Sequence, residues 1–226
     1  TVVDDAETPE GRRAAWAANA TGVSALAQVA RDAGIPLVHF STDYVFDGSL
    51  PVGQEYAETD PVSPLGVYGQ SKAAGEFAAQ GAPRHFVVRT SWVIGEGKNF
   101  VRTMQSLAER GINPAVVNDQ FGRPTFTQDL AAAALHLLDS GAEYGIYNVT
   151  NSGPVISWAD LATQVFELSG HDGTRVSATT TAEYFANVET FAPRPTNSAL
   201  SLEKITVAGF TPRPHEEALE TYLREH

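Results

Sequence analysis

Residues 35–43 read Ile35-Pro36-Leu37-Val38-His39-Phe40-Ser41-Thr42-Asp43, a short apolar run over 35–40 that gives way to polar residues at 41–43. A run of this length, rich in β-branched and large apolar residues and bounded by breakers, fits a strand buried on both faces of a parallel sheet. Just upstream, residues 10–33 are alanine-rich, and Trp16, Val23, Leu26, Val29 and Ala30 supply an apolar helical face. Gly34 stands where a left-handed residue closes a helix. Downstream, Gly48, Pro51, Gly53, Pro61 and Pro64 mark a loop, after which a second helix is predicted over residues 68–80.

The alternation continues outward from this unit. Residues 84–90, 115–117 and 145–150 read as strands. Residues 100–110, 130–138 and 158–168 read as helices, as does the stretch from about 216 onward. Strands separated by helices give an α/β domain with a parallel sheet, because parallel neighbours need a crossover connection. In such sheets ligands sit beyond the carboxyl ends of the strands. Ser41-Thr42-Asp43 and Thr90-Ser91-Trp92 fall at two of those ends.

Bulk properties narrow the classes. With 42% hydrophobic and 19% charged residues the chain is an ordinary globular one rather than a disordered one. Its net charge of −12 argues against a basic nucleic-acid-binding face. With 0 cysteines, disulfides, thiolate zinc sites and a cysteine nucleophile are excluded, which suits a cytoplasmic setting. No apolar run approaches the roughly 18–20 residues of a membrane span, and the opening Thr-Val-Val-Asp-Asp has no signal-peptide character. His39 reads as a core residue of its strand, and the six histidines are too scattered to form a metal pattern.

The chemistry concentrates in Tyr68-Gly-Gln-Ser-Lys72. On a helix, residues four apart share a face, so the lysine ammonium can sit beside the phenol. A free tyrosine titrates at about 10; a neighbouring cation lowers that value and lets the phenol exchange a proton with an alcohol oxygen near neutral pH. Alone, the pair arises in many helices by chance. Its context is larger: His39-Phe-Ser-Thr-Asp-Tyr-Val-Phe-Asp-Gly48, Glu58-Thr-Asp60, Arg89-Thr-Ser-Trp92, Lys98-Asn99-Phe100, Asp119-Gln-Phe-Gly-Arg-Pro-Thr125, Gly145-Ile-Tyr-Asn148, Ser157-Trp158 and Arg194-Pro195-x-x-Ser198.

Through these stretches, in order and over nearly all 226 residues, the chain resembles the extended short-chain dehydrogenase/reductases, and among them the dTDP-4-dehydrorhamnose reductase family. The resemblance implies a Rossmann-like, doubly wound parallel sheet with a smaller α+β substrate-binding lobe. Residues 1–142 would be the remainder of the dinucleotide-binding domain and 143–226 mainly the lobe, with segments interleaved. It implies hydride transfer from NADPH or NADH to the C4 ketone of a dTDP-6-deoxy-4-keto sugar. Tyr68 would then give the proton, Lys72 would tune it and hold the nicotinamide ribose, and Thr42 would polarise the carbonyl. Ser41 and Asn19 would stand toward the cofactor. Asp43, Trp92, Asn99 and Arg194 would meet the substrate, Trp92 as a flat wall for the sugar and Arg194 as a diphosphate clamp. Asn99 could equally cap the helix at Phe100, and Arg194 could form an ion pair. A homodimer and a Mg2+ ion between subunits are also implied, but the sequence places no ligands for the ion.

One departure stands out: the Gly-x-x-Gly-x-x-Gly turn that cradles a cofactor pyrophosphate does not occur. The first residues match the family's segment after its third or fourth strand, so roughly 60–70 residues of the expected domain are not represented. Two other readings stay open. One is another extended-type sugar-nucleotide epimerase or dehydratase, which would place more acid after the threonine than the single Asp43. The other is a non-catalytic regulatory subunit of the same fold.

Overall fold

The structure, a computed structural model, describes residues 3–225. It opens on one long helix with an interruption: α1 (Pro9–Trp16) runs through a π turn at Ala17–Thr21 into α2 (Gly22–Ala33). Thr8 caps the start by accepting the Gly11 N–H, and Pro9 occupies the first turn, where a missing N–H costs nothing. Gly34, at φ 66°, closes the end as expected. The buried stripe differs from the one predicted. It consists of Ala15, Val23, Ala27 and Ala30, whereas Trp16, Leu26 and Val29 are 40, 59 and 60% exposed. Small residues face inward because the helix lies close to its neighbour: a Cβ on Gly75 would come 2.1 Å from the Asn19 carbonyl oxygen.

There follow β1 (Leu37–Thr42), α3 (Val67–Ala79), β2 (His85–Thr90), β3 (Val93–Ile94), α4 (Phe100–Glu109) and β4 (Ala115–Val117). Next come β5 (Phe121–Gly122), β6 (Thr125–Phe126), α5 (Thr127–Asp139), β7 (Gly145–Asn148), β8 (Ile156–Ser157) and α6 (Trp158–Leu168). The remainder holds β9 (Ser177–Thr179), α7 (Thr181–Tyr184), α8 (Glu203–Val207) and α9 (His215–Glu225). β1 starts after Pro36, which has no N–H for the ladder.

β1, β2 and β7 pair in that order, all parallel, with Thr42 opposite Thr90 and Arg89 opposite Asn148. Among the described residues β1 and β7 are the edges of this sheet, and a lysine meets each one. Lys72 Nζ donates to the Phe40 carbonyl, and Lys204 Nζ to that of Ile146.

Two apolar clusters are the largest among the described residues. Phe86, Val88 and Tyr147 of the sheet pack on Leu130 and Leu137 of α5 and Ile205 of α8. The larger core joins Ile94 and Phe126 to Val101 and Met104 of α4, Leu161, Val165 and Phe166 of α6, and Leu219 of α9. Full burial of side chains such as Phe166 and Leu219, both at 0% exposure, contributes about 1.5–3 kcal/mol each. The chain thus leaves the sheet after β2, returns through α5 and β7, and leaves again.

Candidate active site

β1 ends in three buried polar residues. The Thr42 hydroxyl donates to Asp43 Oδ1 at 3.0 Å and accepts the Tyr44 N–H at 3.2 Å. Asp43 is 3% exposed, and its Oδ2 is buried without a hydrogen-bond partner. Burial raises its pKa to about 6; the hydrogen bond from Thr42, with Ser198 and backbone N–H groups nearby, offsets only part of that cost.

α3 begins beside this strand end, where Glu7 Oε1 accepts the N–H of Val67. It presents Tyr68 to Thr42 and Tyr44; the two tyrosine rings meet edge to face at 5.6 Å. The pKa of Tyr68 is raised, first by burial and then by the charge of Asp43, with Thr42 acting the other way. This departs from the expectation that Lys72 would lower it. The ammonium is turned to the Phe40 carbonyl, and its own pKa is lowered by burial. At neutral pH Tyr68 therefore keeps its proton.

Asn19 lies in the π turn and donates to Ser71 Oγ at 3.0 Å; Ser71 in turn donates to the Tyr68 carbonyl. A π turn in a long helix often marks a functional position, and this one braces the first turn of α3. Ser41 Oγ is buried without a partner. His39, buried as expected, has its pKa lowered to about 4 by burial and then by Lys72, so it is neutral. α3 is fixed to the sheet by a bidentate pair in which Arg89 donates to both Glu76 oxygens at 2.9 and 2.8 Å. Both side chains are 3% exposed.

Beyond β2 the chain makes a strained turn. Trp92 has φ 47°, the one positive value outside glycine among the described residues. Its indole stacks on Trp158 with centroids 3.8 Å apart and overlies Gly122, where a Cβ would fall 2.9 Å from Trp92 Cε2. Ser198 touches both Gly122 and Asp43, which ties this aromatic wall to the end of β1.

A cavity of about 400 Å³ opens next to the wall, lined by Phe100, Met104, Val116, Gln120, Trp158, Phe185 and Arg194 among others. Arg194 is its cation and lies within electrostatic reach of Tyr44. Here Arg194 Nη2 donates to both Asp4 carboxylate oxygens at 2.8 and 2.9 Å, Nη1 donates to the Ala192 carbonyl, and the guanidinium stacks over Phe185. Asn99 is spent on capping: Oδ1 accepts the Arg102 N–H, while Nδ2 donates to Gly95, Gly97 and the Tyr222 hydroxyl. The capping alternative thus accounts for the amide oxygen, and the amide nitrogen is held by Gly95, Gly97 and Tyr222. Asp4, Ser198, Gln120, Tyr184 and Phe185 were not legible as site residues. Gln120 sits in a motif that reads as a turn, and residues 181–196 carry no periodic signal.

All 226 residues match the family model described as "RmlD substrate binding domain". The chain belongs to this family. A dTDP-4-dehydrorhamnose reductase of Mycobacterium tuberculosis (strain ATCC 25618 / H37Rv) is 43% identical over 229 residues, covering 99% of this chain and 73% of the relative. The spore coat polysaccharide biosynthesis protein SpsK of Bacillus subtilis is 44% identical over 194 residues, 85% of this chain but 65% of that protein. Among solved structures, the dTDP-4-dehydrorhamnose reductase of Bacillus anthracis in complex with NADP superposes with a TM-score of 0.90 at 35% identity. It covers 100% of this chain, which spans 78% of its length. A dTDP-glucose 4,6-dehydratase of Streptomyces venezuelae, 21% identical with a TM-score of 0.74, shares the fold. The extended short-chain reductase architecture expected from the sequence is therefore that of the RmlD family, doubly wound sheet included. Among the described residues no cluster of acidic or histidine side chains could hold a metal ion, and no helix is long and apolar enough to cross a membrane.

Proposed function

We propose that this chain provides the proton-donating and substrate-holding part of an NADPH-dependent reductase. The enzyme would convert dTDP-6-deoxy-L-lyxo-4-hexulose (dTDP-4-dehydro-L-rhamnose) to dTDP-L-rhamnose in the cytoplasm. The observation that carries this reading is the meeting of Thr42 and protonated Tyr68 at the end of β1, beside the Trp92 wall and the Arg194-bearing cavity.

The polar groups near Lys72 fit a nicotinamide cofactor. Ser41 Oγ has no partner, and the ammonium meets a single backbone carbonyl, which leaves donors for ribose hydroxyls. When bound, NADPH supplies the hydride to C4. Thr42 hydrogen-bonds the C4 carbonyl oxygen and stabilises the negative charge that develops there. Tyr68 delivers its proton to that oxygen; its raised pKa keeps the proton available until the oxygen becomes basic. Trp92 gives the sugar a flat apolar face. Arg194 reaches the diphosphate with the N–H donors not engaged by Asp4 and the Ala192 carbonyl, and the cavity takes the thymidine.

Full-length Tyr68→Phe should lose a factor on the order of 10² in kcat for NADPH consumption with this substrate, while dTDP binding to the chain is unchanged. Wild-type turnover by this variant would overturn the assignment of Tyr68.

A further inference from the structure

Ser157-Trp158 has no part in the chemistry just described, yet Trp158 touches both halves of the substrate site. It is the first residue of α6, set there by a reciprocal cap in which Ser157 and Asp160 bond each other's backbone N–H. One face of its indole lies on Trp92, with centroids 3.8 Å apart and planes at 15°. Phe100 packs against it at 4.6 Å, and Trp158 and Phe100 both line the 400 Å³ cavity. Trp92 holds a left-handed backbone at φ 47°. A bulky residue persists there only when its surroundings over-determine it. Gly122 leaves room under the ring without gripping it; Trp158 is the flat partner that grips it.

We infer that Trp158 is a positioning residue: it holds Trp92 in its strained conformation and makes the placing of that sugar-facing ring depend on a nucleotide filling the adjacent cavity. This rests on the readings of Trp92 as sugar wall and of the cavity as nucleotide site. A base in the cavity packs against the rest of the Trp158 and Phe100 surface, so the Trp158 indole cannot tilt and Trp92 cannot relax. Binding energy from the non-reacting nucleotide is thereby spent on orienting the reacting sugar.

Two indoles stacked this closely couple their strong far-ultraviolet transitions and give a paired band of opposite signs at the long-wavelength edge of the far-ultraviolet circular dichroism spectrum, beyond the peptide helix bands. Trp16, outside the stack, does not contribute to it. Titrating dTDP into the unmodified chain should sharpen that band, after subtraction of the free nucleotide, and this arm needs no variant. Trp158→Phe should abolish the band with the peptide helix bands at shorter wavelength unchanged. In the full-length protein it should raise KM for the sugar nucleotide roughly threefold to tenfold, the value of one aromatic stack, with kcat changed less. If dTDP binds and the band does not respond, the coupling is overturned. If Trp158→Phe keeps the wild-type KM while Trp92→Ala raises it, the positioning role is overturned and the sugar-wall reading stands. If Trp92→Ala itself leaves KM unchanged, the sugar-wall reading falls and takes this proposal with it, whatever the spectra show.

Discussion

Asp43→Asn should make the protein more stable, and increasingly so as pH rises. The carboxyl is 3% exposed, and burial lifts its pKa from 3.8 to about 6. A folded value above the unfolded one means that ionisation opposes folding. The protonated carboxyl's contribution is fully present below 3.8 and is lost as pH passes through about 6. At about 1.4 kcal/mol per tenfold, that rise corresponds to roughly 3 kcal/mol at pH 8. Asp43→Asn removes the titration and keeps the oxygen that accepts the Thr42 hydroxyl. Its amide nitrogen replaces Oδ2, which already lacks a partner, so one buried polar atom stays unmatched in either protein. Urea unfolding of both proteins at pH 4, 6 and 8 gives the difference directly. The variant should gain about 3 kcal/mol at pH 8, or about 6–12 °C in Tm, and less than 1 kcal/mol at pH 4. A variant no more stable than wild type at pH 8, or a gain that does not shrink between pH 6 and 4, would refute the reasoning.

Two further predictions concern the frame of the site. Glu76→Ala leaves the Arg89 guanidinium buried without its bidentate partner and should cost about 3–5 kcal/mol in denaturant unfolding. The double replacement Glu76→Leu with Arg89→Met should cost less than Glu76→Ala alone, and a double cost equal to the sum of Glu76→Leu and Arg89→Met measured singly would argue against a coupled pair. Gly48→Ala places a Cβ 2.5 Å from Pro195 at φ +73°, so strain and overlap together should destabilise by roughly 2–4 kcal/mol. Gly53→Ala, at φ +95° with open space around it, should cost about 1 kcal/mol; equal effects at the two glycines would show that the Pro195 contact does not matter.

The sequence alone determined the alternating elements. Burial in a parallel sheet makes short apolar runs, helix geometry repeats every few residues, and caps are local; hence the end at Gly34 could be read directly, and the apolar runs at 35–40 and 84–90 located the strands found at 37–42 and 85–90. The Tyr68–Lys72 spacing placed both groups on one helix, because four residues make about one turn. Tertiary structure decided the rest. Strands of two residues, such as β3, β5 and β8, are too short for any period to register. The first helix turns alanine rather than Trp16 and Leu26 inward, because the neighbour's closeness selects small side chains and periodicity does not sense that distance. The Lys72 ammonium turned to a strand carbonyl that helical spacing cannot see. Arg194 meets Asp4 across 190 residues, and the Trp92–Trp158 stack joins two motifs that are separate along the chain. Local signals report what a segment can form; which side chains then converge, and with what pKa, depends on burial and contacts that exist only once the chain has closed on itself.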